Sequence, residues 1–262
     1  WFAPTVMILS LGICILIYNY VMGSPANFEG NDPANHPIPS SVSASGNFLG
    51  LMYKGGVLVP LALSLLLMLL IFVVERLITL ARANGKQSLD KFVQKVQINL
   101  ESDNIDAAIE ECDNQRGTVG NVVKEALLTY KEVFNDDSLD RDRKMYQISK
   151  KLQETQALEV PMLERHLVII ATIVSIATLV GLVGTVLGMI KAFSALATAG
   201  APDAVALATG ISEALINTAM GVSTSTLATV AYNYFRNRVD TVNYRLDEVG
   251  YSILQTFAER AK

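Results

Sequence analysis

The polar positions inside one apolar stretch, residues 206–235, are the most informative feature of the chain. The stretch is long and apolar enough to cross a bilayer, yet it carries the carboxylate of Glu213 near its start. An ionisable side chain inside a spanning helix is costly, and it usually faces protein or water. At about 100° per residue, Glu213, Asn217 and Thr224 lie within about 40° of one another around a helix. We therefore predict that this side of the helix faces protein, water or both.

Three further apolar runs have the length of a membrane span. Residues 1–22 contain no charged side chain, and residues 56–76 and 166–191 carry charges only at their ends. About twenty apolar residues suffice to cross the hydrocarbon core as a helix. The first run resembles the core of a signal peptide, but it lacks a basic flank and is longer than such cores usually are, which favours an anchor. Together with residues 206–235, these runs predict an all-α polytopic membrane protein with four transmembrane helices, one extra N-terminal span plus three core spans.

Charged residues concentrate between these runs and after the last one. From residue 75 to 166 the chain holds 14 of its 21 Lys and Arg residues and 17 acidic ones, and apolar residues recur there at helical spacing. Outside that region and residues 236–262, the only basic side chains are Lys54 and Lys191. Because Lys and Arg are retained on the cytoplasmic side, we predict a cytoplasmic helical domain over residues 77–165, into which long helices extend, and a cytoplasmic C-terminal helix over residues 236–262.

Two segments are then left for the outer side of the membrane. Residues 23–55 begin with a Pro-rich part that has few aliphatic residues, which predicts an irregular, solvent-exposed loop on the outer side, and they end in a short amphipathic lead-in from residue 48. Residues 192–205 form a short outer connection that contains Gly200 and Pro202. This arrangement places both termini in the cytoplasm.

Composition and residue spacing exclude several classes of function. The formal net charge of -4 shows none of the excess of Lys and Arg that is typical of nucleic-acid-binding proteins. Cys14 and Cys112 lie in an apolar run and in a charged segment, and neither has metal-ligand spacing to His36 or His166. The sequence contains no nucleophile–base constellation and no phosphate-binding loop. We therefore predict a protein that is not an enzyme and has no cofactor, no metal site and no nucleic-acid partner.

Each of the three core spans contains a recognisable motif. The motifs are GGVLVPLALSLLLMLLIFVVERLITL in the first, GLVGTVLGMIKAF in the second and GISEALINTAMGVSTSTLATVAYNYF in the third. They resemble the MotA/TolQ/ExbB proton channel family, in particular its ExbB/TolQ branch and most of all ExbB. The patterns GLxGTVxGM and GIxEALxxTAxG are the most specific, and the resemblance covers about residues 48–240. The chain departs from the family at Asn217, where a small apolar residue is common, and at residues 223–226, where Ser and Thr replace the usual alanines.

The resemblance implies a homo-oligomer, pentameric in the family, that encloses transmembrane helices of a partner. That partner is a single-span protein of the ExbD/TolR type, which supplies a membrane aspartate; a TonB-type protein and the lipid bilayer are further partners. Thr185 and Thr218 match the family's pore-facing threonines, and Glu213 matches the glutamate of its third core span. We expect the proton pathway and pore lining to comprise Thr185, Thr218, Glu213, Thr178, Asn217 and Thr224. We expect close helix packing, including one GxxxG step, at Gly181, Gly184, Gly188 and Gly221.

The implied function is that of a subunit of an inner-membrane, proton-driven motor or channel. It would couple the proton motive force to movement of the partner and so energise TonB-dependent outer-membrane transport. A TolQ-like envelope-integrity motor, a flagellar-stator-like subunit and a non-conducting membrane scaffold are the alternatives. Glu213 conducts protons under one interpretation and only ties adjacent helices through hydrogen bonds under another. Likewise, the threonine hydroxyls either line the pathway or merely bond to their own helix backbone.

Overall fold

The computed structural model of the chain describes residues 2–33, 37, 47–134, 138–198 and 204–260. Within these residues the secondary structure is helical, and the only extended pairing is a single antiparallel bridge between Phe28 and Pro37. The prediction of an all-α protein is confirmed. The parts of the predictions that concern residues 34–36 (with His36), 38–46 and 199–203 (with Gly200 and Pro202) lie outside the described residues.

The described part of the chain contains nine α-helices. In order they are α1 (Phe2–Leu16), α2 (Phe48–Tyr53), α3 (Val59–Asn84), α4 (Leu89–Glu101), α5 (Ile105–Gln115), α6 (Gly117–Phe134), α7 (Arg141–Glu164), α8 (Leu167–Thr198) and α9 (Ala204–Arg260). A π-helical turn, Ile17–Met22, continues α1. Four of these helices, namely α1 with its turn, α3, α8 and α9, are long and apolar enough to cross a membrane. The four predicted spans are therefore confirmed.

The chain forms two compact units. The first, which we call the apolar unit, comprises Trp1–Val73 and Ile169–Tyr232. The second, the polar unit, comprises Val74–Val168 and Asn233–Lys262. Each unit has buried residues of its own, and each is described separately below.

The extra N-terminal helix packs into the apolar unit along one face. Its buried residues Val6, Ser10 and Cys14 recur every four positions, which is the spacing of a single helix face. At its start, the ring of Phe2 meets the ring of Phe72 of α3 edge to face, with the ring centroids 6.1 Å apart. The other side of α1 exposes large apolar side chains, as suits a helix that spans the hydrocarbon core of a bilayer.

The segment after α1 is more ordered than an exposed linker. Pro25–Asn27 and Glu29–Asn31 form short 3-10 helices, and the side chain of Phe28 between them is fully buried against the ring of Tyr53, 5.6 Å away between centroids. The amide of Asn27 donates to two carbonyls at the end of the π-helical turn. The prediction of an irregular loop is wrong for these residues, whereas the predicted exposure holds for Pro25, Ala26 and Glu29–Asn31 and fails at Asn27 and Phe28. Burial of one aromatic ring in a polar segment favours an ordered conformation, because it removes a large apolar area from water.

The polar unit is a packed set of amphipathic helices. Phe92, Val96 and Leu100 are buried on α4, which confirms the helical spacing of apolar residues predicted for this region. Side-chain oxygens of Asn104 and Asp140 accept backbone N–H groups at the starts of α5 and α7, and such caps favour helix initiation at these positions. The last part of α9 buries a stripe consisting of Val239, Val242, Leu246, Val249, Ile253 and Phe257.

Burial makes the thiol of Cys112 unreactive. This side chain of α5 is almost fully buried, and its burial raises the thiol pKa to about 12, with the neighbouring carboxylate of Asp113 adding to the shift. The thiolate, which is the reactive form, is therefore scarce at neutral pH. We expect Cys112 to resist a maleimide in the native protein at neutral pH and to react after denaturation, as followed by mass spectrometry of its peptide.

The control for this experiment is a cysteine introduced by Asn114→Cys, on the exposed side of the same helix. We expect that cysteine to react in the native protein. Native labelling of Cys112 as fast as that of the introduced cysteine would contradict the burial of its thiol.

Candidate functional site

Helices α8 and α9 approach each other through glycines in the apolar unit. A Cβ atom added to Gly221 of α9 would lie 2.5 Å from the carbonyl oxygen of Ala177 and 2.8 Å from the Cα atom of Gly181. A Cβ added to Gly188 of α8 would lie 2.7 Å from the carbonyl oxygen of Gly210. All three distances are too short for any real Cβ atom. The two helix backbones are therefore in direct contact, as small residues allow in membrane helices.

All four glycines predicted to pack helices lie at this contact. A Cβ added to Gly184 would lie 2.3 Å from the Cβ of Asn217. The hydroxyl of Ser225 reinforces the contact by donating across it to the carbonyl of Val174, at 2.7 Å. Sequence reasoning missed Gly210, which also lies against α8. Its position eleven residues before Gly221 places both on nearly the same side of α9, since eleven residues make about three turns.

The three polar residues predicted to share one side of α9 are all buried. Glu213, Asn217 and Thr224 are 9%, 2% and 3% exposed. Both carboxylate oxygens of Glu213 accept from the ammonium group of Lys191 of α8, at 2.6 and 2.8 Å. The position of this ion pair was not predicted. The signal available in the sequence was that Lys191 is the only basic residue between residues 167 and 235.

Asn217 ties the same end of α9 to the turn that precedes α3. Its side-chain amide donates to the carbonyl of Gly55, at 2.7 Å, and to the carbonyl of Glu213, at 3.0 Å. Its Oδ1 atom has no donor among the described residues. Gly56 has φ of +79°, and a Cβ added there would lie 2.0 Å from Oε1 of Glu213. Both the left-handed backbone and the close approach of the carboxylate therefore require glycine at this position.

The three remaining site residues are half-buried threonines. The hydroxyls of Thr178, Thr185 and Thr218 donate to carbonyls three or four residues earlier in their own helices, at 3.3, 2.6 and 3.0 Å. The hydroxyl of Thr218 also lies 3.4 Å from the carbonyl of Gly181. Within a single chain these hydroxyls are thus engaged with helix backbone. Each hydroxyl oxygen can still accept a hydrogen bond from water.

Thr185 lies beside an open groove on the exposed side of α8. The groove measures about 510 Å³, and apart from Thr185 its lining is formed by Val186, Met189, Ile190 and Phe193. The structure thus separates four of the six predicted pore residues into two groups. Glu213, Asn217 and Thr224 lie inside the packed unit, whereas Thr185 reaches a surface that another chain or lipid must cover.

A second polar cluster lies in the polar unit, where Arg76 is 2% exposed. Its guanidinium donates to both carboxylate oxygens of Glu75, at 2.6 and 2.5 Å, and to the carbonyl of Leu163, at 2.9 Å. Nδ1 of His166 lies 3.1 Å from the same carboxylate. Glu75 and Arg76, which are the letters ER in the first motif, therefore form a largely buried ion pair, and Arg76 links α3 to the end of α7.

Comparison with known proteins agrees with the motifs. A family model described as the MotA/TolQ/ExbB proton channel family matches residues 115–248, just over half of the chain. The Tol-Pal system protein TolQ of Pseudomonas aeruginosa is 27% identical over 154 residues, which cover 59% of this chain and 67% of that protein. A putative ExbB homolog of Methanothermobacter thermautotrophicus is 24% identical over 221 residues, or 82% and 74% of the two chains.

Higher identity occurs over shorter alignments. The biopolymer transport protein ExbB of Salmonella typhimurium is 35% identical over 85 residues, which cover 32% of this chain and 35% of that protein. Relatives thus carry both the TolQ and the ExbB name. The matched region contains the glycine contact between α8 and α9, the carboxylate of Glu213 and both specific motifs. The chain belongs to the MotA/TolQ/ExbB proton channel family, which is a family of proton channels rather than of enzymes, and within it to the ExbB/TolQ branch.

Proposed function

We propose that the chain is a subunit of an inner-membrane motor driven by proton flow. Five copies would enclose the transmembrane helix or helices of an ExbD/TolR-type partner, which supplies the aspartate that takes up and releases the proton. One observation carries this proposal. Glu213 is the only carboxylate in residues 2–22, 59–74, 169–198 and 204–232, and an ammonium group occupies both of its oxygens. A single bound carboxylate cannot relay protons across about 30 Å of hydrocarbon, so a partner must supply a further titratable group.

In this proposal the charged segments fix the orientation. Residues 77–165 and 236–262 lie in the cytoplasm with both termini, because they hold most of the Lys and Arg residues. Protons enter from the periplasmic side, pass the surfaces that bear Thr185 and Thr218, neutralise the partner's carboxylate and leave on the cytoplasmic side. Each charge moved releases about 2.3 kcal/mol per 100 mV of membrane potential. A few protons therefore suffice to move the partner relative to the ring.

The work done by the partner distinguishes two roles. We favour the energising of TonB-dependent outer-membrane transport through a TonB-type protein, on the strength of the three core-span motifs. A TolQ-like role in envelope integrity is the second candidate, because relatives named TolQ match the chain as well. Identification of the protein that co-purifies with the assembled complex, a TonB-type or a TolA-type chain, decides between the two.

Proton flux into liposomes under an imposed membrane potential tests the channel itself. The complex of this chain with its co-purifying single-span partner is compared with a complex that carries Thr185→Val and Thr218→Val. We expect the double variant to lower the flux by roughly tenfold or more, because valine keeps the shape but cannot hydrogen-bond water in a pore. The matched control is Thr209→Val with Thr241→Val, two exposed threonines of α9 that make the same bonds to their own backbone but lie on the side of the helix away from Thr218. We expect this control to leave the flux unchanged.

Other outcomes of the flux measurement would count against specific parts of the proposal. Undiminished flux in the Thr185 and Thr218 variant would remove both residues from the pathway and assign their hydroxyls to helix packing. An intact wild-type complex without any flux would favour the non-conducting scaffold.

A further inference from the structure

We propose that Lys191 acts as a built-in cation on Glu213, which keeps sodium out of the outer end of the pathway and restricts the motor to protons. The effect on ion selectivity rests on the proposed function, since selectivity matters only to a complex that conducts ions. The binding of the ammonium group to the carboxylate does not depend on that function, because it follows from the distances between their atoms. Lys191 is thus a specificity-determining residue in this mechanism.

The ammonium group holds the position that a bound metal ion would take. Nζ of Lys191 lies 2.6 and 2.8 Å from the two carboxylate oxygens of Glu213, so it binds between them as a cation does. The Glu213 side chain is only 12% exposed, whereas that of Lys191 is 56% exposed. The carboxylate is therefore fixed in the packed interior, and the cation reaches it from an accessible surface.

The side of α9 that bears Glu213 also carries an amide oxygen, a type of ligand that hard cations accept. Asn217, one turn further along α9, is 2% exposed, and its Oδ1 atom has no donor among the described residues. The orientation of this amide is fixed, because its nitrogen donates to the carbonyls of Gly55 and Glu213. A flipped amide would set its oxygen against those two carbonyl oxygens. The same side of α9 thus carries a buried carboxylate and, one turn away, an amide oxygen without a donor.

The tethered ammonium group outcompetes ions from solution. Because Lys191 is attached to α8 at this contact, its effective concentration at the carboxylate exceeds that of a free ion. The other basic residue on the proposed outer side, Lys54, lies over the ring of Phe28 and donates to the carbonyl of Pro33. Removal of the charge of Lys191 would leave a buried carboxylate uncompensated, which is strongly unfavourable. Such a carboxylate is neutralised by a proton or by a small cation from solution, and a comparison of salts distinguishes the two.

The test uses Lys191→Gln, which keeps a hydrogen-bond donor and removes the positive charge. The thermal midpoint of the purified complex is measured in sodium chloride and in choline chloride at equal ionic strength. We expect sodium to raise the midpoint of Lys191→Gln by roughly 3 °C or more relative to choline, through binding to the folded state. Lys191→Arg keeps the charge and is expected to behave as wild type, without a sodium-specific shift. The double variant Lys191→Gln with Glu213→Gln lacks both charges and is expected to lose the sodium effect.

Uptake of radioactive sodium into liposomes provides the functional readout. We expect Lys191→Gln complexes to take up sodium roughly tenfold faster than wild type, because a fixed positive charge no longer opposes entry. Equal midpoints in the two salts for Lys191→Gln would overturn the inference, as would failure of that variant to fold in both salts. Folding of the variant in sodium alone would support it.

The two readouts separate this inference from the proposed function. A sodium-specific midpoint shift in Lys191→Gln, combined with no proton flux in the wild-type complex, would reject the channel and keep the role of Lys191 as the cation on Glu213. Normal proton flux in the wild type, combined with no sodium effect in Lys191→Gln, would reject only the role of Lys191.

Discussion

Gly221→Ala is expected to destabilise the protein by about 3 kcal/mol, although it adds only one methyl group. The new Cβ atom would lie 2.5 Å from the carbonyl oxygen of Ala177, and the next nearest atoms, at 2.8 and 3.0 Å, belong to the backbone of Gly181. Backbone atoms cannot move aside as a side chain does, so α8 and α9 must separate. The loss corresponds to a decrease of roughly 6–12 °C in the thermal midpoint, which circular dichroism of the purified protein would record.

Gly12→Ala is the matched control for this prediction. It makes the same chemical change in another apolar helix, α1, at a position where an added Cβ meets nothing within 4 Å. Because alanine has a higher helix propensity than glycine by about 1 kcal/mol, we expect Gly12→Ala to be neutral or slightly stabilising. Equal losses of stability in the two variants would mean that glycine content, and not the close contact at Gly221, determines the effect.

Arg76→Met is expected to cost roughly 3 kcal/mol by leaving a carboxylate without its cation. The guanidinium supplies two bonds to Glu75 and one to the carbonyl of Leu163. The Glu75 side chain is 23% exposed, and the hydroxyl of Thr79 also donates to it. Because the carboxylate of Glu75 stays partly solvated, we expect the loss of stability to lie near the lower end of the range for removing one partner of a buried ion pair. The thermal midpoint in detergent is again the measurement.

Two further variants make the Arg76 prediction specific. Arg82→Met removes an exposed arginine from the same helix, and such surface changes usually stay within about 0.5 kcal/mol. Glu75→Gln in the Arg76→Met background removes the uncompensated charge, and we expect it to recover most of the lost stability. If Arg76→Met and Arg82→Met have equal effects, the buried contacts of Arg76 do not contribute to stability.

The sequence was informative about α9 because its polar residues follow helical geometry. Glu213, Asn217 and Thr224 are close on a helical wheel, and all three are buried in the structure. The spacing of residues along one helix fixes which of them share a side, independently of what packs against that side. The same reasoning identified the glycines of α8, since close helix contact requires small residues.

The loop after α1 shows where such reasoning failed. Proline and asparagine in this segment have the composition of an exposed linker, but composition does not show whether a single aromatic residue finds a neighbour. Phe28 is buried against Tyr53, which lies 25 positions further along the chain. Contacts between residues this far apart in sequence do not follow from local patterns.

By itself, the sequence determined the helical class, the four apolar spans and the family, because these depend on composition, periodicity and short motifs. Only the tertiary structure decided that Lys191 is the partner of Glu213, that the turn at Gly55 and Gly56 lies against Glu213 and Asn217, and that the oxygen of Asn217 is left without a donor. The physical reason is that hydrogen bonds and ion pairs act over a few ångströms between groups on different helices. Their pairing depends on helix rotation and register, which local sequence patterns do not specify.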